Sequence, residues 1–210
     1  MKRYTLEDFK KFERNKFGFI ICPSGDYTEI KEFPACCSFE NWCNFDEHCS
    51  FGKECNFGKW CYFGEGCRFE EGCHFGSYCI FEAFCSFGRD CVLESSCILR
   101  AGCSFEGCCY FGEDCSFSTG CTVEDGKKLK SYTKIEGTGR ERRCTYFYKL
   151  TDGSIYVRCG CFAGYEDEFL NVVKETHEGT VYEKQYHLAL ELAKLTFQEK
   201  VNEEENFNCD

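Results

Sequence analysis

Cysteine is the residue type here with the most chemical reach. The 210-residue chain carries 22 of them against four histidines. Fifteen fall at a strict interval of six, from Cys37 to Cys121. Thiolates bind metal, form disulfides or act as nucleophiles, and each use demands its own geometry. A structural metal site needs about four ligands converging tetrahedrally. Evenly spaced cysteines form lines rather than clusters, so no metal is expected on them. Disulfides along a line are conceivable from Cα spacing, but in-register Cβ atoms about 4.8 Å apart exceed the usual bridge distance. A small apolar residue filling a narrow space is the remaining role. Outside the repeat, Cys144, Cys159 and Cys161 are the thiols to consider as metal ligands, because C-x-C on a strand puts two on one face. The alternative is that this face is a core. A catalytic thiol would need a base, and His177 or His187 are the candidates near it in sequence. His48 and His74 stand at outward repeat positions without an evident partner.

The elements that hold these cysteines follow from the repeat. Two places after each cysteine stands Phe in twelve hexads, and Leu93, Leu99 and Val123 in the others. C-x-F is a short strand with both side chains on one face. The next three positions are rich in Gly, Glu, Asp, Asn and Lys, where the chain turns. A strand and a corner, repeated, wind a solenoid in which neighbouring coils complete each other's core.

The units "CNFGKW" and "CSFGRD" make the chain resemble the hexapeptide-repeat, left-handed parallel β-helix family over residues 31–126. The resemblance implies a mainly β fold: a left-handed, three-sided parallel β-solenoid. Phe where that family has Leu, Ile or Val implies a swollen prism. Three hexads per coil give five coils, roughly 24 Å in length at about 4.8 Å per coil. Residues 18 apart then stack. Cys37, Cys55, Cys73, Cys91 and Cys109 form one column, with Cys43 and Cys49 heading the other two.

Around the solenoid the composition changes. Residues 1–30 read as an N-terminal cap, with "TLEDFKKFERN" an amphipathic helix capped by Thr5 and Asp8, burying Leu6, Phe9 and Phe12. Residues 127–210 read as a small C-terminal β-β-β-α-α module. Its strands are "SYTKIEG", "CTYFYKLTD" and "SIYVRCGCF", with a hairpin at Asp152-Gly153. Its second helix starts at a Thr180–Glu183 capping box and buries Tyr182, Tyr186, Ala189, Ala193 and Phe197. The string "VRCGCFAGYEDEF" is similar to one in uncharacterised proteins of phages and gut bacteria that also carry C-x-F-G repeats.

Charge and exposure then bound the function. The formal net charge is −11, and residues 37–126 hold 15 acids against 5 bases. That balance argues against direct nucleic-acid binding. It suits either a solvated surface or an acidic rod that meets a basic protein surface. Trp42, Trp60 and Tyr78 stack at one corner, beside an outward column containing Tyr62, Ile80 and Ile98. This apolar patch is the expected binding surface, covered by the C-terminal module, by a second copy in a homodimer or by a foreign partner. Residues 127–143 hold seven bases and two acids. Lys134, Arg140, Arg142 and Arg143 there are candidate anion ligands, with Gly137 and Gly139 giving an adaptable loop.

The expected function is non-catalytic: a protein-binding scaffold needing no cofactor. The phage resemblance points to an inhibitor of host defence, such as a CRISPR or restriction nuclease. The alternatives are a protein that sequesters a nucleotide signal and a hexapeptide-repeat acyltransferase. The resemblance to acyltransferases implies a loop breaking out of the coils and a catalytic histidine, and no loop interrupts the fifteen hexads. Ice-binding Thr-x-Thr ladders and the three zinc-binding histidines of carbonic-anhydrase members are also missing from the repeat. The start of the chain lacks an apolar export segment, so the expected location is the cytosol of a bacterial host, without a membrane role.

Overall fold

A computed structural model describes residues 1–107, 109–123 and 126–207, with the side chains of 143 and 199–207 left aside. The chain divides into two compact units, Met1–Lys128 and Leu129–Asp210.

The first unit is a three-sided parallel β-solenoid. Its strands run from β1 (Ile20–Cys22) to β17 (Thr122–Val123), most only two residues long. Asn44, Tyr62, Ile80, Ile98 and Ser116 pair in register along one face. The coil-to-coil ladder is regular: Tyr62 N donates to Cys43 O at 2.9 Å and Gly64 N to Phe45 O at 3.0 Å. Among the described residues, each hexad ends on a left-handed residue, as at His48 (φ 57°), Trp60 (φ 61°) and Gly66 (φ 68°). That conformation bends the chain onto the next face.

The core is a herringbone of phenylalanines. Down one column Phe45, Phe63 and Phe81 lie nearly parallel, with centroids 5.0 and 4.8 Å apart. Across columns the rings meet edge-on, Phe57 to Phe63 at 5.0 Å and 88°. Both geometries suit the aromatic quadrupole, at about 0.5–1.5 kcal/mol per pair beyond area burial.

There are six coils, one more than the hexads give, counted in the six parallel strands of one face. The extra coil lies at the N-terminal end and breaks the C-x-F rule. Ile20 and Cys22 pair with Cys37 and Phe39, inverting the small and large positions. Gly25 and Tyr27 flank Asp26, which bridges to Asn44. Tyr27 stacks on Phe45 and Tyr4 stacks on Tyr27. The cap thus extends the phenylalanine column by two rings.

The cap helix α1 covers only Leu6–Phe9, with the Thr5–Asp8 capping box in place. Phe9 is buried, but Leu6 is exposed and Phe12 half-buried. Phe12 packs inward on Tyr4, Phe9 and Tyr27, so the expected inward face is corrected at Leu6 alone, because a single turn is too short to bury a full stripe. At the other end, Thr122 and Val123 pair antiparallel with Lys128 and Lys127, the start of β18 (Lys127–Thr138).

The second unit has four antiparallel strands in place of the expected three. β18 pairs with β19 (Arg143–Leu150), β19 with β20 (Ile155–Cys159) and β20 with β21 (Phe162–Tyr165). The stretch "SIYVRCGCF" reverses at Gly160 (φ 59°) and so forms two strands. Helices α2 (Glu166–His177) and α3 (Val181–Phe207) follow. Phe147, Val157, Phe169, Val173, Tyr186 and Ala193 are part of one buried cluster. Tyr182 is half-buried, unlike the other expected inward residues of α3. The expected box at Thr180 is half formed. Glu183 N donates to Thr180 Oγ1, but the Glu183 carboxylate takes the Gly179 N–H.

Candidate binding surface

The corner after the first face places Trp42, Trp60 and Tyr78 in one column. Their rings stack at 5.3 and 4.3 Å, within 7° of parallel. They are 55, 45 and 43% exposed. All three have positive φ, 63°, 61° and 64°. A bulky residue there costs roughly 1–2 kcal/mol, and Gly or Asn would not. Stacking along the column offsets part of that cost. In the next two coils Ser96 and Asp114 take the same position.

The face following this corner carries Tyr62 and Ile98, 38 and 41% exposed, with Ile80 half-buried between them. Phe84 stands at the far corner of the same face, 63% exposed. Its ring lies over Gly102, where a Cβ would come within 2.6 Å. Phe84 was not among the expected patch residues. The signal was available, since it occupies the same hexad position as Trp42, Trp60 and Tyr78. The structure therefore unites all six expected patch residues and adds a seventh.

Carboxylates border the face on both edges. Glu113 and Asp114 are exposed at one corner, and Glu47 and Glu65 at the other. Glu82 pairs with Arg100 at 3.0 Å. Partial burial and a hydrogen bond to Glu82 hold the Tyr62 phenol above its ordinary range. His48 is exposed, and its ring lies against Gly66. His74 does have a partner: its Nε2 is 3.8 Å from Glu94 Oε1. Stacking brings the outward position of one coil beside the corner of the next, which separate hexads do not reveal.

The ladder cysteines are reduced and buried. They do more than fill space. From Cys55 onward each donates to the carbonyl 21 residues earlier: Cys61 to Glu40 at 3.6 Å, Cys79 to Gly58 at 3.4 Å, Cys97 to Gly76 at 3.6 Å. Burial among phenylalanines disfavours a thiolate on the ladder.

The three outlying cysteines do not converge. Thr145 pairs with Cys159 across the sheet and donates to its sulfur at 3.2 Å. Cys144, adjacent to Thr145, points to the opposite face. Cys161 falls in the turn after Gly160 and is exposed, so the C-x-C is not a single strand. Among the described residues no group of three or more His, Cys, Asp or Glu is arranged to hold a metal. His177 stacks on Tyr186 at 5.6 Å, whereas His187 is exposed.

The basic segment is also divided. Arg140 and Arg142 are exposed in the turn between β18 and β19, while Lys134 lies along β18 and pairs with Glu136 at 3.1 Å. The Arg143 side chain lies outside the described residues. Among the described residues, no helix is long and apolar enough to cross a membrane. Compared with family models, curated proteins and solved structures, the chain matches none of them.

Proposed function

We propose that this chain is a non-catalytic scaffold that binds the basic surface of a nucleic-acid-binding protein, a host nuclease being the partner class its phage resemblance favours. One observation carries the reading: a face with Trp42, Trp60, Tyr78, Tyr62, Ile98 and Phe84 exposed, bordered by carboxylates on both edges. An apolar centre supplies affinity, and Trp and Tyr are enriched among residues that dominate interfaces. The acidic border selects a cationic partner and speeds encounter. Rigid stacking lowers the side-chain entropy lost on binding.

The test is capture from bacterial lysate by the full chain, beside Trp60→Ala/Tyr62→Ala and Glu113→Gln/Asp114→Asn variants. The expected captured protein binds nucleic acid, competes with DNA for the chain and is lost with the first variant. Capture that weakens with salt and with the second variant supports the charge border. Capture indifferent to both variants overturns the reading.

A further inference from the structure

The C-terminal unit contains a cavity of about 320 Å³ that the scaffold reading does not use. Its volume is at the lower end for small-molecule sites, about 300–1,000 Å³. Phe169 and Val173, both buried, and Phe162 form its apolar wall. Cys159 and Tyr186 form the floor, where the thiol lies 3.2 Å from Thr145 Oγ1 and 3.8 Å from the tyrosine hydroxyl. Gly139 lets the hairpin approach that hydroxyl, because a Cβ there would sit 2.0 Å from it. Arg140 and His177 stand at the rim, and the His177 ring leans on Tyr186.

We infer that this cavity binds a small monocarboxylic acid with an aromatic or branched aliphatic body. The apolar body lies against Phe169 and Val173, and the carboxylate meets the Arg140 guanidinium at the mouth. A planar fork of donors matches a carboxylate. A phosphate dianion fits less well. Glu141 shares the rim, and the C-terminal turn of α2, whose carbonyls carry partial negative charge, lines the same side.

The test titrates the full chain with phenylpropionate at neutral pH, followed by amide NMR. Saturable shifts at low-millimolar ligand, centred on the cavity, are expected. Arg140→Gln weakens binding about tenfold, the loss of one charge-assisted contact. Phenylpropanol, which keeps the body and lacks the charge, binds the unaltered chain about tenfold more weakly by the same argument. Val172→Trp plugs the mouth from an exposed helix position and abolishes the shifts. Shifts that stay linear with ligand, or survive Val172→Trp, overturn the site. Equal affinity for the acid and the alcohol overturns the carboxylate assignment.

Discussion

The Cys79 thiol donates to the Gly58 carbonyl 3.4 Å away, at a corner of the preceding coil. The coil-to-coil backbone ladder uses carbonyls at the first, third and fifth hexad positions, as at Cys43, Phe45 and Lys59. Gly58 is at the fourth, so the thiol takes a carbonyl that this ladder leaves over. Cysteine suits the position because it is small, apolar and a weak donor at once. Cys79→Ala removes the sulfur and the bond, for a loss of about 1–2 kcal/mol. Cys79→Ser keeps a donor but buries a more polar group, and should fall no further than Ala. Urea denaturation checks both, and a neutral Ala variant would show that the bond contributes nothing.

Phe63 stacks between Phe45 and Phe81 and is fully buried. Phe63→Ala opens a ring-sized void and is expected to cost about 3–5 kcal/mol. Leu93 and Leu99 already occupy the large position in other coils, fully buried. Phe63→Leu should therefore cost only about 1–2 kcal/mol. Thermal melts of the pair separate ring stacking from simple burial.

The same two residue types explain what could be read in advance. A six-residue period with Cys and Phe two apart leaves one plausible winding, and Trp60 and Tyr62 then point outward by parity. The first coil was not legible because Ile20, Gly25 and Lys31 replace cysteine in its three strands. The reversal at Gly160 was hidden because "VRCGCF" reads as one alternating strand. The Thr145–Cys159 contact depends on strand register, which single-strand patterning does not fix. Phe84 shares the sixth hexad position with Trp60 but is 24 residues from it, so it falls in another 18-residue column, and a search along single columns does not join it to the patch.

Asp26 joins the cap to the first coil, accepting from Arg3 Nε at 3.2 Å and Thr28 Oγ1 at 2.7 Å. Burial opposes ionisation, but the bonds from Thr28 and Arg3 prevail and lower its pKa. A depressed carboxylate stabilises the fold above its unfolded value, about pH 4, and the contribution disappears as pH falls through the lower folded value. Asp26→Asn should flatten the acid limb of a stability-versus-pH curve by under about 1 kcal/mol. An unchanged acid limb would remove Asp26 from the account.

Thiol labelling reads the ladder directly. Cys161 is exposed and should react quickly with an aromatic disulfide reagent in the native protein. The buried ladder thiols should react only as the solenoid opens, so their rate follows unfolding. Fast native labelling of Cys79 or Cys85 would contradict the closed core.

Trp60 separates binding from folding. Its ring has two stacking neighbours, Trp42 and Tyr78, each worth about 0.5–1.5 kcal/mol. Against that, its left-handed backbone costs a bulky residue roughly 1–2 kcal/mol. Asparagine adopts this conformation more readily, so Trp60→Asn loses the stack and relieves the backbone. The two effects nearly cancel, and stability should change by less than about 1 kcal/mol. Partner capture should nevertheless fail, because the ring is the centre of the exposed stack. A loss of several kcal/mol would mean that the tryptophan serves the fold, and the binding face would then lose its strongest member.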